Sequence, residues 1–301
     1  MMTTLSQIQS SLKAYTSTTP IKIIHSIPHP HPPHHPISTL LILDSSFNPP
    51  TRAHAYLLQQ AITRLQSQPK PVAAHPNGSP SSSSSSRVTT GAATGRILLL
   101  LSTKNADKPS APASTEHRLS MMALFAQDLW DDGSLVSSAS TSTADDAATA
   151  GTSITDSITT AAGVTTYISG IDIALATQPR FLEKSLFLST PSDENPYSAS
   201  LGDSFVQWHI LGFDTLVRLV DGKYYDGGDL SGLAPLFDGG NRVWIVRRGG
   251  DEKKQAEFVG RLSLSRAKGG FDGLGWNVEW GSKVELVDGF DGVRDREGQV
   301  R

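Results

Sequence analysis

LLILDSSFNPPTRAHAYLLQQA, residues 40–61, holds the most informative pattern in the chain. An aliphatic run stops at Asp44, a polar turn with two prolines follows, and a helical pattern then begins. The run shows no polar alternation, so it reads as a strand buried on both faces, as in a parallel sheet. Past the turn, Leu57, Leu58, Ala61, Ile62 and Leu65 recur at the spacing of one helix face. Thr51 suits the N-cap of that helix. Ligands of α/β sheets sit at the carboxyl ends of strands, which is where this loop lies.

Working outward, ILLLL (97–101), VQWHILGF (206–213) and VWIV (243–246) read as strands of the same buried kind. YISGID (167–172) and KVELVD (283–288) are weaker strand candidates. Leu119, Met122, Ala123, Ala126 and Leu129 mark a second helix. A third starts at Asp214, and a fourth covers 251–262 with Ala256, Val259 and Leu262 inward. Strand followed by helix, repeated, is the pattern of an α/β fold built on a doubly wound parallel sheet.

Composition bounds the rest. The chain has 301 residues, enough to bury a substantial core, yet only 38% are hydrophobic. Disordered inserts in a compact domain account for that mixture. Two segments rich in Ser, Thr, Ala, Gly and Pro, 66–95 and 133–163, are the expected inserts. HSIPHPHPPHHP (25–36) holds five of the nine histidines between prolines and reads as a flexible or extended tract rather than a metal site. The expected organisation is an N-terminal segment, 1–36, and one domain, 37–301. A net charge of −3 gives no reason to expect nucleic-acid binding. With no cysteine, disulfides, thiolate metal sites and a cysteine nucleophile are excluded. No apolar run reaches the roughly 18 residues that span a bilayer. The start of the chain lacks the basic and apolar regions of a secretory signal, so the expectation is a soluble intracellular protein without membrane partners.

Chemically, SSFNPPTRAH is a loop entering a helix N-terminus, where backbone N–H groups and the helix dipole favour phosphate. His54, in the first turn, is placed to donate to a phosphate oxygen. It also shares a face with Leu57, Leu58, Ala61 and Ile62, and by spacing alone it fits a core histidine that extends the apolar stripe better than a phosphate ligand.

SSFNPPTRAH resembles the GSFNPPTxxH motif of the nucleotidylyltransferase superfamily, in the wording of the nicotinamide (or nicotinate) mononucleotide adenylyltransferases. The resemblance implies a Rossmann-like nucleotidylyltransferase fold. It places Ser46, Phe47, Asn48, Thr51 and His54 at the nucleotide, with Thr51 and His54 on the ATP phosphates. Ser45 stands where the motif has its first glycine. STKNADKPSAPASTEHRLSMM (102–122) is similar to the family's basic loop and following helix; Lys104 and Lys108 are its candidate phosphate binders, with His117 and Arg118 behind them. ILGFDTLVRLVDGKYY (210–225) resembles a Gly-x-Asp-x-Leu block that sets Gly212 and Asp214 at the nucleotide. VWIVRRGG (243–250) matches a late strand ending in arginine, which adds Arg247. The family's late Ser-x-Thr-x-x-Arg signature is not found; SLSR at 263–266 comes too early, and RDREGQVR ends the given sequence.

The implied activity is adenylyl transfer from ATP to a pyridine mononucleotide, with His54, Lys104 and Lys108 as the catalytic group. Mg²⁺ would be carried on the phosphates, and the setting would be cytoplasm, nucleus or both. Ser45 and the missing signature point to an alternative, a nucleotide-binding regulatory protein with a degenerate or truncated site. A cytidylyl- or phosphopantetheine-type transferase fits the FNPPT wording less well.

Overall fold

The computed structural model describes residues 2–13, 15, 19–28, 37–67, 93–103, 113–132, 166–202, 205–247 and 251–287. In chain order these form α1 (Met2–Lys13), β1 (Ile21–Ile27), β2 (Thr39–Asp44), α2 (Arg52–Ser67), β3 (Ala93–Ser102), α3 (Thr115–Asp131) and β4 (Thr166–Ala176). There follow α4 (Phe181–Ser189), β5 (Val206–Gly212), α5 (Phe213–Leu219), α6 (Ala234–Asp238), β6 (Arg242–Val246), α7 (Glu252–Arg261) and β7 (Val284–Val287).

One seven-stranded sheet runs β1-β4-β3-β2-β5-β6-β7. β2 through β7 are mutually parallel, while β1 lies antiparallel to β4. Numbered along the chain, the parallel strands follow the order 3-2-1-4-5-6, which is compatible with a Rossmann-like fold. Winding reverses between β2 and β5, and it is beyond the carboxyl ends of such a pair that sheets of this kind bind their ligands.

Helices cover both faces. On one, Leu41, Leu43, Leu99 and Ile210 of the sheet meet Leu58 and Ile62 of α2 and Leu119 and Met122 of α3. On the other, Leu40, Ile42 and Leu98 meet Leu188 of α4, and Val243 and Ile245 meet Leu236, Phe237 and Trp276. Burial on both faces explains why these strands read as unbroken apolar runs.

Several expectations need correction. The sheet is mixed, because β1 adds an antiparallel edge strand. Residues 25–27 of the His/Pro tract belong to β1: Ile24 and Ile27 are buried, and β4 supplies the backbone partners. Pairing across the sheet thus overrides a composition that reads as extended; 29–36 lie outside the described residues. Ile8 of α1 joins the same core cluster as Ile24 and Leu41, so the N-terminal segment packs onto the sheet. Of the expected insert 66–95, the ends belong to α2 and β3, and 68–92 lie outside the described residues, as does 133–163. The third helix starts at Phe213 rather than Asp214. In α7 the buried residue is Gln255, with Ala256 exposed; the helix presents Gln255, Phe258 and Val259 inward and rotates Ala256 to solvent.

Low in the sheet lies a closed polar network. Arg96 of β3 forks onto Asp172 of β4 at 2.5 and 2.6 Å, and both side chains are buried. Ser26 and Tyr197 donate to the same carboxylate at 2.6 and 2.8 Å. Burial, then the neighbouring carboxylate, pushes the Tyr197 phenol well above its usual range. The β3–β4 register shifts between Gly95 and Ile97 to admit the guanidinium. A Cβ on Gly170 would collide with the Ile27 carbonyl and reach 2.7 Å from the Arg96 guanidinium, so glycine is needed there.

Candidate functional site

The 45–51 loop leaves the carboxyl end of β2, at the reversal of the sheet, and delivers the chain into α2. Leu43 pairs with Ile210, so two residues further on Ser45 and Gly212 come abreast. Gly212 in turn pairs with Val246, one residue before Arg247. Three consecutive strand ends therefore open onto the same edge: β2, β5 and β6.

Within the loop, Phe47 is fully buried and takes a left-handed backbone, φ 43°, which a bulky residue seldom adopts. Its ring sits 5.1 Å from that of His54, and Phe125 of α3 meets His54 edge-on at 6.5 Å. Phe47 thus anchors the loop in the core, and a ligand can meet only its backbone. Arg118, buried at the start of α3, ties the loop from outside: its Nε donates to the Ser46 carbonyl at 2.8 Å. Burial lowers the Arg118 pKa. His117 beside it is exposed; its backbone N–H donates to Ser114, the N-cap of α3. Arg118 is a positioning residue that sequence reading placed behind the lysines and gave no role; the EHR letters were its signal.

His54 is held by both ring nitrogens. The Thr51 backbone N–H donates to Nδ1 at 3.0 Å, and Thr51 Oγ1 lies 2.8 Å from the same atom. A backbone N–H can only donate, so Nδ1 accepts and the proton of the neutral ring sits on Nε2. Nε2 is 3.0 Å from Ser45 Oγ and donates to it. Ser45 then keeps its own hydroxyl proton to offer onward. The serine in the glycine place becomes the outer end of a Thr51–His54–Ser45 chain, and His54, half-buried, is both a packed ring and a polar link. Thr51 stands at the N-cap position by its carbonyl, which accepts from the His54 N–H at 3.0 Å, while its hydroxyl serves the imidazole.

The other expected residues distribute as follows. Ser46 is exposed and Asn48 half-buried, both on the loop. Gly212 precedes α5 with an ordinary extended backbone, φ −76°, and Asp214 is exposed in the first turn of α5. Arg247 is half-buried one strand away, with its guanidinium 3.4 Å from Glu252. Lys104 and Lys108 lie outside the described residues, following Ser102 and Thr103 at the end of β3.

Below the loop, Lys184 of α4 is buried; its ammonium donates to Asp44 and, at 2.6 Å, to Ser102 Oγ. Beside it, His209 of β5 is fully buried, with Nε2 2.9 Å from Gln207 Oε1 and the Phe181 ring at 4.4 Å. Burial, then the Lys184 charge, lowers its pKa to about 3, so the ring is neutral. Neither residue stood out in the sequence, since a lysine in a short helix and a histidine in an apolar run carry no spacing signal.

Comparison with protein-family models finds no match, and comparisons with curated proteins and with solved structures find none either.

Proposed function

We propose that this chain transfers an adenylyl group from ATP to nicotinamide (or nicotinate) mononucleotide, giving a dinucleotide and pyrophosphate. The carrying observation is the Thr51–His54–Ser45 chain at the N-terminus of α2, on the strand ends where the sheet reverses. The dipole of a 16-residue helix and a serine hydroxyl oriented through His54 together suit a polyphosphate. A phosphate oxygen of the mononucleotide attacks the α-phosphorus in line, the bond to the β-phosphate oxygen breaks, and pyrophosphate leaves. The protein aligns the reactants and spreads the developing charge. Mg²⁺ enters with ATP; among the described residues no three His, Asp or Glu side chains converge to hold a metal. Lys104, Lys108 and Arg247 are the further cations this reading assigns to the phosphates, and Gly212 and Asp214 border the nucleoside.

One observation favours a second reading, nucleotide binding without turnover. Both His54 nitrogens are engaged inside the loop, so its donor reaches a ligand through Ser45 rather than directly. Incubation with Mg·ATP and each mononucleotide separates the two. Pyrophosphate and dinucleotide in equal amounts support transfer, ATP binding without either product supports the second reading, and no ATP binding by folded chain rejects both.

A further inference from the structure

Asp44 ends β2 and directly precedes the loop to which the phosphates are assigned. A carboxylate there opposes a polyanion, because like charges in a partly dry site repel more strongly than in water. Lys184 answers that charge from α4. It is only 4% exposed, and two of its three N–H donors go to Asp44 and Ser102. Holding α4 down does not require it. Leu188 packs in the core on the same face, and Ser185 and Ser189 exchange hydrogen bonds with Gln207 at 2.6–3.1 Å. Burying an ammonium is costly, and this one sits under the carboxylate that directly precedes the loop.

Resting on the ATP reading above, we propose that Lys184 neutralises Asp44 and thereby lets the 45–51 loop accept phosphate, acting as a positioning residue through the carboxylate rather than by touching the nucleotide. The groups facing Asp44 are Lys184 of α4 and Ser102 of β3; His209 of β5 pairs with Ile42, two residues earlier on β2, and senses the Lys184 charge. Beyond them stand His54 of α2 by way of Ser45, Arg118 of α3 on the Ser46 carbonyl, and Asp214 at the start of α5. Lys184 is the cation in contact with Asp44 among the described residues.

Mg·ATP is titrated calorimetrically into the full chain, Lys184→Met, Asp44→Asn and the double variant, each compared with the parent. Lys184→Met is expected to weaken ATP about tenfold, because it leaves the Asp44 charge unanswered beside the loop. Asp44→Asn is expected to bind ATP as tightly as the parent or more tightly. The double variant returns to within about threefold of the parent. Equal losses in Lys184→Met and Asp44→Asn, or a double variant no better than Lys184→Met, would show a mere clasp and overturn the proposal. If Lys184→Met does not fold, Asp44→Asn decides alone, since neutralisation and clasp predict opposite signs for it. A folded parent that binds no ATP removes the nucleotide reading itself, an outcome separate from all of these.

Discussion

Two buried ion pairs share one face of the sheet, Arg96–Asp172 low in β3 and β4, and Lys184–Asp44 at the carboxyl edge. In the first, a forked guanidinium, Ser26 and Tyr197 all converge on one carboxylate, and neither charged side chain is more than 1% exposed. For Arg96 burial works against the charge, but the contacts with Asp172 outweigh it and raise the pKa. In the second, the carboxylate is 17% exposed, its cation is a single ammonium, and the adjoining chain is a strained loop. A closed pair serves the fold, because both carboxylate oxygens of Asp172 accept from Arg96 and its neighbours in the interior. The edge pair instead cancels a charge beside the loop and leaves its carboxylate partly open to solvent.

The largest expected effect tests the closed pair. Asp172→Ala leaves a buried guanidinium without its partner and should cost about 3–5 kcal/mol of unfolding free energy. Denaturant titration measures it. ATP affinity of the folded fraction should stay unchanged; a parallel loss of affinity would erase the distinction between the pairs. Next comes the loop. His54→Ala removes the link that orients Ser45 and should weaken ATP about tenfold to a hundredfold, as expected for a lost hydrogen bond to a charged group. Its stability should hardly change. Unfolding with affinity intact would instead make His54 a core histidine and nothing more.

A smaller effect follows from His209. Its folded pKa lies at about 3, below the ordinary 6.5. Below about pH 6.5 the unfolded chain takes up a proton that the folded chain refuses, so stability falls with pH by roughly 1 kcal/mol per unit. The window runs from about 6.5 down to about 3, and above it the group contributes no slope. Between pH 7 and pH 5, chemical denaturation of His209→Gln should show a shallower decline than the parent. An unchanged slope would mean that the ring does not stay neutral. The smallest effect belongs to the exposed pair Arg64–Glu285, 3.4 Å apart with side chains 45% and 37% exposed. Arg64→Ala should shift stability by no more than about 0.5 kcal/mol, because water screens such pairs. A larger change would blur the line between surface and interior pairs drawn here.

Much of the sheet was legible because burial on both faces leaves a local mark. LLIL and ILLLL show it without any partner being known, and the helical spacing after each run shows which side chains turn inward. β1 escaped for a physical reason. An edge strand followed by prolines has its pairing decided by β4, about 150 residues later, and its own composition says only that it is extended. The loop was legible as a turn entering a helix N-terminus, because that is a sequence-local object, and its place at the end of β2 was borne out. Its inner wiring was not: Nδ1 of His54 turned out to belong to the Thr51 backbone, and Nε2 to the serine in the glycine's place.

By itself, then, the amino-acid sequence marked β2 to β7, the helices α2, α3, α5 and α7 and the polar loop between β2 and α2, but not α1, β1, α4 or α6, and it excluded thiol chemistry. Only the tertiary structure decided which strands are neighbours and which charges meet. Lys184 reaches Asp44 across 140 positions, and Arg96 reaches Asp172 across 76. Periodicity is a property of adjacent turns and pleats, so it survives in one dimension. The partner of a buried charge is chosen by the need to satisfy it wherever the chain happens to bring a counter-charge, and that depends on the whole winding of the sheet.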